Sequence, residues 1–450
     1  AWLEIIFIRN AANITATLWT GHFDLLQRYN KHMPITCQAI KTTDTKSIRI
    51  HDSVIIIPNG NNSSNTITLM NLLFTVGIVK SLQLFKGGAF LMKNIFSTRT
   101  GIIVVGAVIG IGAALLQYFG NPPNMGICVA CFERDIAGAL GLHRADVVQY
   151  LRPEIMGFVL GAFVAAFLAG EYKPRGGSAP LIRFFLGVFA MLGALVFLGC
   201  PWRALLRLAG GDGNAILGLL GLISGIFIGV QFLKHGYSLG RSYTQRKASG
   251  WIFPAIMVGL LLFLVFQVTF TPGGPIFFSA KGPGSQHAPI FISLIAGLVI
   301  GALAQRSRFC TMGAFRDAIL IKDFHLISGV ATLLVFAFAM NLILGQFKPG
   351  FEGQPIAHTN HVWNFLGMTL AGLAFVLAGG CPGRQLFLSG EGDMDAAIFA
   401  LGMIVGAGIA HNFATASSPK GIAAFGPAAV IIGFIFCLII GFTQRDKITA

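Results

Sequence analysis

Ten apolar runs, each close to the length that crosses a bilayer, limit what this chain can fold into. They fall near 101–119, 153–170, 180–199, 214–233, 251–270, 290–305, 325–345, 363–379, 395–412 and 422–442. A spanning helix takes about 17–25 residues, and lipid offers the backbone no hydrogen-bond partners, so segments of this length must be helical. Charged residues make up only 11% of the chain, against about 25% in soluble domains. The fold class is therefore an all-α membrane protein with about ten transmembrane helices. Gly221, Gly225 and Gly229 form a small-residue ladder, expected to serve close helix packing.

A second feature divides the chain into two parts. Cys128–Asp135 reads CVACFERD and Cys310–Asp317 reads CTMGAFRD; the leading Cys, Arg134/Arg316 and Asp135/Asp317 coincide without a gap. Downstream, Gly199-Cys200-Pro201-Trp202-Arg203 matches Gly380-Cys381-Pro382-Gly383-Arg384, and an aspartate follows each arginine, Asp212 and Asp393. Similar spacing in both copies marks an internal duplication. The expected organisation is a first transmembrane repeat over 92–270, a Gly/Pro/Ser-rich linker over 271–289 and a second repeat over 290–450. Five crossings per repeat, an odd number, would invert one repeat relative to the other and put a site near the midplane at interrupted helices. A parallel repeat would need one span to lie on the surface or re-enter.

Charge distribution orients the chain. Lys93, Arg99, Lys173, Arg175, Lys234, Arg241, Arg246, Lys247, Arg445 and Lys447 fall on one side, which the positive-inside rule makes cytoplasmic, with both termini there. Arg134, Arg144, Arg152, Arg203 and Arg207 fall on the other side. The net charge of +15 comes with no basic tail or aromatic-basic face, so nucleic acid is not an expected partner. Residues 1–91 differ from the rest: they are polar, rich in Asn, Thr and Ile, and show no sustained helical periodicity. Their 68–79 apolar stretch is too short to span. Lys86-Gly87-Gly88 stands just before Met92, as a translated ribosome-binding site would, so Met92 is the expected native start. A genuine cytoplasmic extension is the other reading.

The repeated motifs carry the chemistry. Proline suits the first turn of a helix, so Cys200 and Cys381 should stand at or beside N-caps, where free N–H groups and the helix dipole favour an anion. Arg203 and Arg384 add positive charge in the same turn. A neutral S–H that donates to an anion suits such a path better than a thiolate that repels it. Arg134 with Asp135, and Arg316 with Asp317, are expected to pair, because unpaired charge at membrane depth is costly. Arg306 and Arg308 read equally as an anion-attracting mouth or as ordinary positive-inside residues. Cys437 reads as a small core hydrophobe. His411, late in an apolar span, is the one histidine to test for proton coupling. No histidine or cysteine spacing suggests a metal, and no cofactor is expected.

Cys128-x-x-Cys131 opens a second function class, a membrane thiol-disulfide oxidoreductase. Against it, Gly313 stands opposite Cys131 in the second copy, so the dithiol is not duplicated. With no Walker motif present, ATP coupling would require a separate subunit.

With these motifs in view, Gln305–Asp317 (QRSRFCTMGAFRD) and Ala378–Pro382 (AGGCP) resemble the YeeE/YedE family of bacterial sulfur-transport membrane proteins. The resemblance covers about 95–442. It implies a non-enzymatic inner-membrane transporter in which short helices meet at a thinned centre and Cys128, Cys200, Cys310 and Cys381 pass a sulfur-bearing anion along through S–H contacts. It also allows for a cytoplasmic sulfur-carrier partner. Cys-Pro-Trp-Arg and Cys-Pro-Gly-Arg depart from the thiosulfate branch's more usual Gly-Cys-x-Ser-Gly. Together with Cys131 they look more like the YedE-type branch associated with selenium metabolism, so both thiosulfate and a selenium species stand as expected substrates.

Overall fold

The computed structural model describes residues 39–42, 45–50, 53–58, 95–268 and 276–445. The chain divides into two compact units, Ala1–Ser81 and Leu82–Ala450. In the first, β1 (Ala39–Thr42), β2 (Thr45–Ile50) and β3 (Ser53–Pro58) form an antiparallel sheet with β2 in the centre. Sequence reading did not anticipate it. The signal is the run Val54-Ile55-Ile56-Ile57, whose β-branched side chains favour a pleated surface. Met92 and the 68–79 stretch, with the expectations attached to them, lie outside the described residues.

The second unit is helical. Its helices are α1 (Arg99–Tyr118), α2 (Val129–Ala139), α3 (Pro153–Leu168), α4 (Pro180–Phe197), α5 (Pro201–Ala209), α6 (Asn214–Lys234) and α7 (Lys247–Val265). After a break come α8 (Ile290–Ser307), α9 (Thr311–Leu320), α10 (His325–Ile343), α11 (His361–Ala378), α12 (Pro382–Gly390), α13 (Met394–Asn412) and α14 (Gly426–Thr443). All ten apolar runs are helices. Nine segments among the described residues are long and apolar enough to cross a membrane; α3, shorter at 16 residues, is the tenth run. Three of the nine segments, Pro180–Ala209, Ile290–Leu320 and His361–Gly390, contain a break followed by a short helix.

Both stretches run in the order long, short, long, long, short, long, long, and their contacts are reciprocal. Helix α1 packs on α10 while α3 packs on α8; α4 packs on α13 while α6 packs on α11; α4 and α11 meet in the middle. Small residues allow this closeness. A Cβ at Gly221 or Gly225 would run into the backbone oxygen of Phe365 or Thr369, and one at Gly229 into the Val376 side chain, so the ladder packs α6 onto α11. The last helices break the correspondence: α7 lies mainly on α3, whereas α14 lies on α4 and α11.

Polar loops gather into two separate networks. In one, Arg306 and Arg308 pair with Glu171, Arg308 and Arg384 with Glu391, and Arg175 with Asp393. In the other, Arg152 joins Asp135 to the carbonyls of Pro283 and Gln286, and Asn121 joins Glu154 to the backbone of Gly126 and Ala288.

Candidate functional site

Each of the four short helices begins at a cysteine of the repeated motifs. Cys200 and Cys381 are the N-cap residues of α5 and α12, with proline opening the first turn. Cys128 and Cys310 are the N-caps of α2 and α9, which the sequence did not reveal because no proline marks those starts. At both of these helices the cap sulfur accepts a first-turn N–H, from Cys131 to Cys128 at 3.4 Å and from Gly313 to Cys310 at 3.2 Å. Gly313 occupies the register of Cys131, so the cap geometry is kept while the second thiol is not.

Folding brings the cysteines together two by two. Cys128 Sγ lies 3.7 Å from Cys200 Sγ, and Cys310 Sγ lies 3.7 Å from Cys381 Sγ. A disulfide needs about 2.05 Å between sulfurs, so these are thiols in S–H···S contact. All four are buried. Cys437 is buried in α14 and belongs to neither pair.

Ending α4 and α11 ahead of these cysteines leaves helix-terminal carbonyls without intrahelical partners. Side chains collect them. His358 Nε2 bonds the Val196 carbonyl, Arg207 donates to Phe197 and Arg203 to Leu198. In the second stretch Tyr237 donates to the Leu377 carbonyl, and Arg183 and Gln385 donate to that of Ala378. This gives Arg203 and Arg207, which run against the positive-inside pattern, a structural task. Arg203 also donates to the carbonyls of Asn124 and Ile356 and reaches Cys131 Sγ at 3.5 Å. Arg384, its counterpart, is partly exposed and pairs with Glu391 at 3.3 Å.

The remaining charges pair closely. Arg134 and Arg152 both hold Asp135, at 2.7 Å each, and Arg207 holds Asp212 at 2.6 Å. Arg316 pairs with Asp317 at 2.8 Å, half-buried. Arg306 and Arg308 are engaged by Glu171, with Arg308 also on Glu391. His411 packs against His143 with ring centroids 4.3 Å apart and ring planes tilted by 31°. Among the described residues no cluster of His, Cys, Asp and Glu could hold a metal.

Trp202 connects the two pairs. It follows Pro201 at the start of α5, and its register counterpart in α12 is Gly383. The two positions are in contact, since a Cβ on Gly383 would sit 3.2 Å from Trp202 Cζ2. The indole also packs edge-on against Phe158 and against Phe309, the neighbour of Cys310. It is fully buried, and its N–H has no partner among the described residues. One large aromatic thus fills the space that a glycine leaves on the opposing short helix, between the Cys200 side and the Cys381 side.

Near the second pair, a cavity of about 210 Å³ reaches the α11–α12 break; Ser178, Arg183, Gly379, Gln385 and Asp395 are among its lining residues.

Residues 306–430 match the family described as Sulphur transport. Over 105 residues the chain is 36% identical to the thiosulfate transporter TsuA of Spirochaeta thermophila, covering 23% of this chain and 31% of that protein. Over 103 residues it is 30% identical to the thiosulfate transporter TsuA of Escherichia coli, covering 23% and 29% respectively. The aligned stretches span less than a third of either relative. The family match takes in Cys310, Arg316, Asp317, Cys381 and Arg384, and the resemblance to YeeE/YedE sulfur-transport proteins read from those motifs holds.

Proposed function

We propose, on the premise that residues 306–430 are a sulphur-transport domain of the YeeE/YedE kind, that this protein carries a sulfur-bearing anion across the inner membrane along its four paired cysteines. The observation that carries this reading is the repeated pair: two thiols at 3.7 Å, each at a helix N-cap, found in both stretches. An N-cap directs backbone N–H groups and the positive end of the helix dipole at whatever sits before it. A thiol there donates a weak hydrogen bond and is polarisable. An anion can exchange water for two such caps, then pass Trp202 to the second pair. No covalent bond has to form.

Thiosulfate is the first substrate to test, because both relatives are named for it; a selenium species is the alternative suggested by the Cys-Pro-Trp-Arg and Cys-Pro-Gly-Arg variants. The reciprocal helix contacts support two inverted repeats, with boundaries near 92–270 and 290–450. The separate loop networks support placing Cys128 and Cys200 on the periplasmic side and Cys310 and Cys381 on the cytoplasmic side, with cytoplasmic termini. A sulfur-carrier protein would then meet the Cys310–Cys381 face. Complete burial of Cys128 and Cys131 weighs against the oxidoreductase alternative, because exchange requires a thiolate to reach a partner's disulfide.

Uptake of labelled thiosulfate by cells lacking their own transporter tests this. Cys200→Ala and Cys381→Ala should each abolish uptake while membrane expression persists, whereas Cys437→Ala should leave uptake near wild type. Wild-type uptake by the Cys200→Ala/Cys381→Ala double variant would end the cysteine-path reading. Selenium uptake without thiosulfate uptake would change the substrate and keep the path.

A further inference from the structure

Glu133 lies in α2 between Cys131 and the Arg134–Asp135 pair. It is 0% exposed, and neither carboxylate oxygen has a hydrogen-bond partner among the described residues. The other buried carboxylates described there differ. Asp135 and Asp212 are held by arginines, Glu154 accepts from Asn121 and Ser293, Glu391 pairs with Arg308, and Asp395 accepts from the N–H groups of Gly177 and Ser178. The second copy places Phe315 at the position of Glu133, so packing at this site does not require a carboxyl group.

Among the described residues no cation pairs with Glu133. On its own helix, Arg134 is turned to Asp135. On the helices packed against α2, the titratable residues are His411, against His143, and Asp395 on α13, Arg384, engaged with Glu391, on α12, Glu154 on α3, and Arg183, spent on Ser178 and Ala378, on α4. Glu133 stands in the second turn of α2, whose N-cap Cys128 lies 3.7 Å from Cys200. An isolated carboxylate in such a place costs several kcal/mol or more, so the stable form is the neutral acid.

We infer that Glu133 is the proton carrier of this protein, and that its proton and the transported anion occupy the Cys200 site together. This rests on the transport reading above. A charged Glu133 beside Cys200 would repel an arriving anion, whereas the protonated acid does not. Anion binding and protonation of Glu133 therefore favour each other, and the coupling is reciprocal. The chemical step is the making and breaking of one O–H bond, with the proton taken from water on one side and returned to water after the anion has left.

The test uses the whole protein in liposomes with labelled thiosulfate and an internal pH dye. Wild type should move protons with thiosulfate, and thiosulfate accumulation should rise on acidifying the outside, by up to about tenfold per unit of pH difference for one coupled proton. A protonophore should collapse accumulation. Glu133→Gln should lose both pH dependence and protonophore sensitivity while still exchanging internal for external thiosulfate. Infrared difference spectra should show a protonated-carboxyl C=O band in wild type that is missing in Glu133→Gln. Thiosulfate uptake by wild type without proton movement would overturn the inference and leave the transport reading intact, and so would a band unchanged in the variant. Wild type that takes up no thiosulfate would overturn the transport reading, and the coupling with it.

Discussion

The two cysteine pairs have the same geometry in different surroundings. Around Cys128 and Cys200 the charges are sealed: Asp135 and Arg152 are fully buried, as are Arg207 and Asp212, and Arg203 spends its donors on carbonyls. Around Cys310 and Cys381 the corresponding groups meet water. Arg316 and Asp317 are 31% and 19% exposed, Arg384 is 13% exposed, and a polar cavity approaches the helix break. Bulk differs as well, with Trp202 on the first side and Gly383 on the second. Paired thiols at N-caps are therefore what both sides keep, while the charged residues around them hold a dry scaffold in one half and a wetter mouth in the other.

The largest effect expected from this contrast concerns the aspartates. Asp135→Ala would leave Arg134 and Arg152 buried without their partner, and removing one member of a buried ion pair costs about 3–5 kcal/mol. Asp317→Ala removes a partly exposed partner, worth under about 1 kcal/mol. Thermal unfolding in detergent measures both, and equal losses would break the contrast.

A smaller effect concerns access. Cys310 is 7% exposed, whereas Cys128 and Cys131 are 0%. In variants retaining one cysteine at a time, a small maleimide should modify Cys310 first. Equal rates at Cys128 would show that the first pair is as open as the second.

The smallest effect is a pH dependence of stability. His143 and His358 lie in loops on the first side, and burial holds both below the ordinary histidine range. Each Nε2 bonds a backbone carbonyl, of Arg134 and Val196, and each Nδ1 lies at the N–H of a following residue, Ala145 and Asn360. That pattern assigns the neutral, Nε2-protonated tautomer. With the folded value lowered, the unfolded chain binds the proton more readily, so stability is complete above the ordinary value of about 6.5 and falls as pH drops through and below it. The loss is at most about 1.4 kcal/mol per pH unit for each histidine. Melting temperatures between pH 8 and pH 5 check this, and His358→Gln should flatten the slope. A flat wild-type profile would break it.

Much of this protein was legible in the chain. Apolar length alone placed ten helices, since a backbone in lipid has no alternative to internal hydrogen bonding. The Gly-Cys-Pro spelling placed Cys200 and Cys381 at N-caps because proline tolerates the first turn of a helix and little else inside one. The Arg134–Asp135 and Arg316–Asp317 pairs followed from the cost of unpaired charge at depth, and the glycine ladder from the spacing of one helix face.

Other features depended on residues far apart in sequence. The chain contains the cysteines but not their partners: Cys128 meets Cys200 across 72 positions, and Cys310 meets Cys381 across 71. The sequence suggested Arg203 as a charge for the anion. The carbonyls it binds belong to a helix end and to the 119–128 and 344–360 loops, and only the folded chain brings these to its guanidinium. Glu133 carries no sequence signal for the same reason. A carboxyl group in a sequence carries no sign of whether a cation will stand beside it, and its isolation is a property of every helix packed around it. Local sequence determined where helices run and stop, because those choices depend on neighbours a few residues away. Tertiary structure decided which polar groups meet, which are sealed and which is left alone, because burial and pairing are set by contacts between helices.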